Sequence, residues 1–188
     1  MQGRLRGGQR ASDYTAVMNV RAVEESEIDQ LAQLWFDGWQ DAHAAIVPAE
    51  LRRLRTLDSF RARLRVGLPD VRVVGPSGSP IAFYMLKDDE LYQFYVTAAA
   101  RGTGVAARLI ADAEASLAGR GVDVAWLACA IGNDRAARFY EKCGWHRAGT
   151  MFNQLDTSNG TFELEVWRYE KPVARSTTAA ASEQTDGR

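Results

Sequence analysis

The chain has 188 residues, 46% of them hydrophobic and 25% charged, which excludes a chain that is disordered over most of its length. Its formal net charge of -1 gives no basic surface for nucleic acid or anionic membranes. Two cysteines (Cys129, Cys143) and two histidines (His43, His146) are too few for a disulfide framework or a zinc site, so we expect no metal. The chain shows neither a membrane-spanning apolar run nor the apolar core of a signal peptide, so we expect a cytosolic protein without a membrane partner.

The two ends of the chain differ in composition from the middle. Residues 1–17 are rich in arginine and glycine, and residues 172–188 are mostly small or polar. We therefore predict disordered ends on either side of one folded domain at 18–171, with Met18 as a candidate natural start.

Helical patterns dominate the first part of this domain. A short strand at 19–22 precedes a helix whose apolar residues recur at helical spacing and which Ser26 is expected to cap. Pro48 favours the start of a second helical stretch, and Phe60 with Leu64 indicates further helix.

Strand patterns follow. Alternating residues predict strands at 71–74, 81–86 and 90–96, joined by short turns into an antiparallel meander. A helix with four-residue apolar spacing then leads to a strand at 122–128, and strand–helix–strand order implies a right-handed crossover with parallel pairing. A short helix and a last hairpin complete a mixed α/β sheet of six or seven strands, antiparallel at first and parallel in the middle.

A turn of small residues, in the segment YVTAAARGTGVAARLI, lies between a strand and a helix. The first N–H groups of a helix have no partner inside it, so Gly102 and Gly104 would let a phosphate or pyrophosphate approach them. The turn lacks the lysine of a Walker loop, and it follows an antiparallel meander, unlike a Rossmann turn. A tight turn without a ligand is the alternative interpretation.

A second motif lies in LACAIGNDRAARFYEKCGWHRAG. Asn133 can cap a short helix that Gly144 ends, and Tyr140 lies two turns after Asn133 on the same face. An amphipathic helix with Tyr140 as a core aromatic residue is the alternative.

Taken together, the two motifs resemble those of the GCN5-related N-acetyltransferase (GNAT) superfamily. Its glycine motif, Q/R-x-x-G-x-G/A, is met by residues 101–106, and its Asn…F/Y-Y-E-x-x-G-F motif is met by residues 133–145. The resemblance covers residues 19–171. It implies the acyl-CoA N-acyltransferase fold, whose mixed six- to seven-stranded sheet has an antiparallel N-terminal half, a parallel central pair splayed in a V, and about four flanking helices.

The resemblance also implies acetyl-CoA as the cosubstrate and assigns roles to residues. The backbone of Phe94, Tyr95 and Val96 would bind the pantetheine arm and the acetyl carbonyl, and Asn133 would contact the same arm. The N–H groups of residues 102–107 would hold the pyrophosphate, in a turn made of Arg101, Gly102, Thr103, Gly104, Val105, Ala106 and Ala107. Tyr140 would protonate the leaving thiolate, which suits a phenol with a pKa near 10.

Members of this family attack the thioester directly, and several use a glutamate as the base. One branch has it five residues before the asparagine, where this chain has Ala128. Another has it on the fourth strand, where this chain has Glu90, and strand alternation would put Glu90 on the face of Tyr92, Phe94 and Val96. A proton relay through water, with Glu90 as an exposed charge, is the alternative.

The acceptor pocket is expected to lie between the first helices and the last hairpin. Its candidate side chains are Trp39, His43, Tyr92 and Phe152, with Trp145 and Asn153 as further candidates. Asp41 and Glu50 could attract a cationic amine or form a solvated face. The acceptor is left open between a small-molecule amine and a protein amino group, and so is a homodimer.

Three functions follow from these motifs. The first is an acetyl-CoA-dependent N-acetyltransferase that acts on a primary amine. The second is a non-catalytic acyl-CoA-binding sensor or scaffold, which the alanine at position 128 favours. The third is a nucleotide-binding module, which would require the glycine turn to prefer NAD or ATP over CoA.

Overall fold

Seven strands form one open sheet in the order β1-β2-β3-β4-β5-β7-β6 in a computed structural model that describes residues 19–173. The strands are Val20–Ala22 (β1), Val71–Val74 (β2), Ala82–Lys87 (β3), Glu90–Val96 (β4), Val124–Ala130 (β5), His146–Thr157 (β6) and Gly160–Pro172 (β7). Strands β1 to β4 pair antiparallel, β4 and β5 pair parallel, and β5, β7 and β6 pair antiparallel. The predicted mixed sheet with a parallel central pair is confirmed.

Five α-helices lie in the described residues, where about four were predicted. They are Ile28–His43 (α1), Ala49–Leu54 (α2), Leu57–Gly67 (α3), Val105–Gly119 (α4) and Asp134–Lys142 (α5). None of the helices within 19–173 is long and apolar enough to cross a membrane.

The helices cover both faces of the sheet and create two cores. Helices α1 to α3 pack against Phe83 and Met85 of β3, whereas α4 and α5 pack in the cluster that contains Tyr84 and Leu86. Strand β3 is therefore buried from Ala82 to Leu86 on both faces and reads as a continuous apolar run, as expected for a covered central strand.

Glu27, and not Ser26, organises the start of α1. A 3₁₀ turn at Glu25–Glu27 precedes the helix, and the fully buried Glu27 carboxylate accepts from the Glu24 N–H at 3.0 Å and forms an ion pair with Arg21 at 2.7 Å. The hydrogen bond from Arg21 lowers the pKa of Glu27 to about 2. The helical spacing in the sequence did not predict the role of Glu27, because its ion pair is formed with a residue of a neighbouring strand, β1.

The C-terminal end of the fold extends past residue 171. Strand β7 continues to Pro172, and Val173 is 7% exposed while its N–H donates to the Asp123 carbonyl at 3.0 Å. The predictions for 1–17, for Met18 and for 174–188 fall outside the described residues.

Candidate active site

The candidate site begins where β4 and β5 separate. These strands share one registered pair, Glu90 with Trp126, and the Trp126 N–H donates to the Asp89 carbonyl at 3.2 Å. Beyond that pair β4 keeps β3 as its partner, and β5 pairs with β7 on its other side. The backbone from Leu91 to Val96 therefore faces an opening, and the predicted V-shaped splay is confirmed.

The glycine turn leads from β4 towards α4. Gly102 and Gly104 have φ angles of 77° and 90°, in the left-handed region that glycine adopts without steric cost. A Cβ at either position would meet no atom within 4 Å, so backbone conformation and not crowding explains these glycines. The Thr103 hydroxyl donates to the Ala100 carbonyl at 2.6 Å and closes the turn.

Free backbone donors line the start of α4. Within the described part of the chain, no N–H group from Gly102 to Ala107 donates a hydrogen bond, and the Arg108 N–H is the first to do so, to the Gly104 carbonyl at 3.1 Å. Val105 is 1% exposed and anchors this end of the helix in the core. Unpaired donors and the positive end of the helix dipole fit a pyrophosphate group.

Asp41 joins two arginines beside this turn. Its carboxylate accepts hydrogen bonds from Arg135 and Arg101 at 2.7 Å each, and these bonds, that from Arg135 first, lower the pKa of Asp41. Asp41 is thus already paired and offers no free charge to an acceptor amine. Glu50 lies exposed on α2, outside the cavity.

A cavity of about 370 Å³ is lined both by residues of the glycine turn and by residues of α1 to α3, and its size is ordinary for a small-molecule site. The predicted residues that line it are Trp39, His43, Glu90, Tyr92, Phe94, Tyr95, Val96, Arg101, Gly102, Ala106, Asn133, Tyr140 and Asn153. The predicted residues that do not line it are Thr103, Gly104, Val105, Ala107, Trp145 and Phe152.

A bulge in β4 decides which way Glu90 faces. The β3–β4 register shifts by one residue, so the prediction that Glu90, Tyr92, Phe94 and Val96 share a face is wrong. Phe94 and Val96 pack with Leu91 on the α4 side, whereas Tyr92 packs on the side of α1 to α3. Glu90 precedes Leu91 and therefore shares the face of Tyr92.

The Glu90 carboxylate has the properties of a general base. Glu90 is 7% exposed, lines the cavity, and makes no hydrogen bond or ion pair with any residue that the structure describes. Burial raises the pKa of Glu90 to about 7, while Lys87 acts to lower it and Asp89 to raise it. A base with a pKa near the working pH is the most effective one.

Tyr140 lies in the same cavity with its hydroxyl free of protein partners in the described region. It is 8% exposed, and its ring lies 6.4 Å from that of Phe94 and 6.1 Å from that of Tyr169. Burial raises the pKa of Tyr140 well above its ordinary value, so the phenol keeps its proton. Asn133 caps α5 as predicted, with its side-chain oxygen accepting from the Ala136 N–H at 3.2 Å.

Cys129 also lines the cavity, but it is a poor nucleophile. It is 3% exposed, and burial raises the pKa of its thiol to about 12. Because the thiolate is the reactive form, Cys129 acts as an apolar packing residue.

The acceptor end combines predicted and unpredicted side chains. Trp39 and His43 stack at 5.5 Å, and burial lowers the pKa of His43 to about 4, so this imidazole is neutral at physiological pH. Phe152 is 62% exposed on the other face of β6, and Asn153 and Leu155 line the cavity in its place. Successive strand residues point to opposite faces, so Phe152 and Asn153 could not both enter the pocket.

Three arginines that line the cavity were not predicted from the sequence: Arg135, which Asp41 holds, and Arg55 and Arg63. Arg63 lies three residues after the buried Phe60 and so on the same face of α3, a spacing that could have identified it. Arg55 follows the end of α2, where the sequence gives no such signal.

The splayed sheet, the glycine turn and the cavity between them define the class of the protein as an acyl-CoA N-acyltransferase fold. The family model described as the acetyltransferase (GNAT) family matches residues 29–145, more than half of the chain. The chain therefore belongs to the GNAT family and is an N-acetyltransferase. No curated protein sequence matches it.

Solved structures share this fold at low sequence identity. A GCN5-related N-acetyltransferase (aminotransferase, class II) from Rhodopseudomonas palustris is 20% identical with a TM-score of 0.64, covering 82% of this chain and 94% of its own. An N-acetyltransferase from Staphylococcus aureus Mu50 is 18% identical with a TM-score of 0.61, covering 83% and 98%. PaiA N-acetyltransferase from Thermoplasma acidophilum, solved in complex with coenzyme A, is 17% identical with a TM-score of 0.56, covering 82% and 98%.

Proposed function

We propose that this protein transfers an acetyl group from acetyl-CoA to a primary amine by direct attack of the amine on the thioester. The observation that carries the proposal is one cavity lined by the glycine turn, by an unpaired carboxylate at Glu90 and by an unpaired phenol at Tyr140. The coenzyme A in the PaiA structure supports the choice of acyl donor. A cytosolic location, the absence of a metal and a homodimer stay predictions.

Each part of the cavity has a separate task in this reaction. Acetyl-CoA supplies the activated acetyl group, and the free N–H groups of residues 102–107 would hold its pyrophosphate. The backbone edge of Phe94, Tyr95 and Val96 that faces away from β3, with Asn133, would hold the pantetheine arm. Glu90 takes the proton that the amine loses when its nitrogen bonds the acetyl carbon. As the carbon–sulfur bond breaks, the Tyr140 hydroxyl gives its proton to the departing sulfur.

Ligand-dependent melting with acetyl-CoA, CoA, NAD and ATP, followed by thiol release with a panel of amines, tests the proposal. A ligand that binds only the native state raises the melting temperature, so we expect acetyl-CoA and CoA to raise it more than NAD and ATP. Thiol release that depends on an amine supports catalysis. Binding of acetyl-CoA without release from any amine would favour the non-catalytic sensor, and preference for NAD or ATP would contradict the donor.

We expect Tyr140→Phe to lower the single-turnover rate at least about ten-fold, because general acids contribute about 100- to 10,000-fold and water replaces them in part. CoA affinity and stability should change little, since the ring stays and the hydroxyl has no partner to lose among residues 19–173. Tyr169→Phe is the control: Tyr169 is fully buried beside Tyr140, lies outside the cavity, and its hydroxyl donates to Glu141 at 2.9 Å. If Tyr140→Phe has the same single-turnover rate as the parent protein, Tyr140 is not the general acid. The fold assignment would not be affected by that result.

A further inference from the structure

Two arginines at the acceptor end of the cavity have no carboxylate partner among the described residues. Arg55 is 3% exposed, and its guanidinium donates a hydrogen bond to the Asp156 backbone carbonyl at 2.8 Å. Arg63 donates to the Tyr92 hydroxyl at 2.7 Å and lies 4.4 Å above the Trp35 ring, but its Nε is buried without a hydrogen-bond partner in the part of the chain that the structure describes.

The other charged residues that line the cavity do not neutralise the positive charges of Arg55 and Arg63. Arg101 and Arg135 also line it, but both are paired with Asp41. Asp156 is exposed and meets Arg55 through its backbone oxygen. Among the residues that the structure describes, Glu90 is the one carboxylate that lines the cavity, and it forms no ion pair with any of them.

Buried cations without counter-charges are unfavourable for the protein alone. Burial lowers the pKa of Arg55 to about 10, and the charge of Arg63 acts in the same direction, whereas the more distant charge of Asp156 acts to raise it. Arg55 therefore stays charged at neutral pH, but its burial is unfavourable. An unpaired buried charge destabilises a fold unless a ligand supplies the opposite charge. A guanidinium matches the planar fork of a carboxylate in particular.

We propose that the acceptor is a small amino acid, a primary amine carrying a carboxylate, and that Arg55 and Arg63 bind the carboxylate. This inference rests on the proposed acetyltransfer, because the two arginines line the same cavity as Glu90 and Tyr140, the proposed base and acid. Leu51, Leu155 and Leu164 line the same space and provide an apolar wall for a side chain. The two arginines therefore select the acceptor, and Glu90 deprotonates its amine.

The first test uses the parent protein and needs no mutation. Thiol release from acetyl-CoA is measured with each of the twenty common α-amino acids, and the best acceptor is compared with its carboxamide and with the amine that lacks the carboxylate altogether. Charge-assisted hydrogen bonds to a buried arginine predict a kcat/KM at least about ten-fold higher for the free acid than for either neutral analogue. Equal or better turnover of the carboxamide would overturn the inference.

The second test removes each charge while keeping apolar bulk. In Arg55→Met and in Arg63→Met we expect KM for the amino acid to rise at least about ten-fold, with KM for acetyl-CoA and turnover of the neutral carboxamide nearly unchanged. Arg53→Met and Arg65→Met are matched controls, because Arg53 lies exposed two residues before Arg55, Arg65 lies exposed on α3 with Arg63, and both are outside the cavity. An unchanged preference for the acid in both cavity variants would overturn the assignment of these arginines.

The outcomes separate this inference from the proposed function. If a protein N-terminal peptide or a neutral amine is acetylated and no amino acid is, acetyltransfer stands and the acceptor class is wrong. If no amine of any kind releases CoA from a protein that binds acetyl-CoA, the proposed function fails and the acceptor class fails with it.

Discussion

We expect Glu90→Gln to lower kcat/KM for the acceptor by about 100-fold or more, the usual contribution of a positioned general base. Glutamine keeps the size and the polarity of the side chain but cannot take the amine proton. Because Glu90 has no hydrogen bond to lose in the described structure, CoA binding and folding should survive. Acceptor turnover measured with saturating acetyl-CoA gives the result.

The pH profile distinguishes a base from a packing residue. Burial raises the pKa of Glu90 to about 7, so the active ionised form increases as pH rises, and kcat/KM should rise tenfold per pH unit below 7 and level off above it. The neighbouring charges that bear on this titration are Lys87, Asp88, Asp89 and Arg168. His43, with a pKa of about 4, cannot cause an inflection near 7. In Glu90→Gln the inflection should disappear.

The same substitution should stabilise the fold at high pH. The native pKa of Glu90 lies above the ordinary value of 4.5, so the native state binds this proton more tightly than the unfolded chain does. Protonated Glu90 therefore contributes fully to the free energy of unfolding below about pH 4.5, and this contribution is lost as pH rises through about 7. At pH 8 we expect Glu90→Gln to be more stable than the parent by up to about 3 kcal/mol, measured by urea unfolding.

Asp88→Asn is the matched control for Glu90→Gln. Asp88 lies exposed on the same turn with a φ of 52°, a conformation that asparagine also tolerates. Removing this carboxylate should leave turnover and the pH inflection nearly unchanged. If Glu90→Gln turns over within a few-fold of this control and keeps the inflection, Glu90 is not the base. A proton relay through water would then be the better explanation.

Gly104→Asp should weaken CoA binding on the order of 100-fold more than Gly104→Asn does. The two side chains are nearly the same size, and both tolerate the left-handed φ of 90° at this position better than other residues do. A Cβ here meets no protein atom within 4 Å, so both variants have room to fold. They differ in one negative charge, placed where the pyrophosphate would approach the free N–H groups, and a like charge a few ångströms away costs about 1 to 4 kcal/mol.

Equilibrium binding of CoA to both Gly104 variants, each checked by its melting temperature, gives the comparison. An aspartate at a helix N-terminus favours the helix, so loss of binding in Gly104→Asp without loss of stability points to the ligand. Raised salt should narrow the difference between the variants, because screening weakens the repulsion. Equal CoA affinities in the aspartate and asparagine variants would contradict a pyrophosphate at this turn.

Local chemistry made much of the site predictable. Gly102 and Gly104 have positive φ angles that other residues adopt at a cost, and Asn133 caps the helix that follows it. These signals depend on residues within a few positions of one another. They therefore appear in the sequence at fixed spacing, as do the strand–helix–strand order and the parallel pairing that it implies.

The faces of β4 could not be predicted in this way. Strand alternation follows a strict period of two, and one extra residue at the bulge reverses it, so Glu90 and Phe94 lie on opposite faces. The register shift is a property of the pairing with β3, and neither strand shows it alone.

By itself, the sequence determined the family, the mixed sheet and the glycine turn, because each depends on short-range preferences or on the order of elements. Only the tertiary structure decided that Asp41 is held by Arg101 and Arg135, residues 60 and 94 positions away along the chain. It also decided that Arg55, which is buried, and Arg63, which is half-buried, line one cavity with no paired carboxylate among the described residues. The charge balance of a cavity depends on which side chains, distant along the chain, line it after folding. No local sequence pattern predicts which side chains these are.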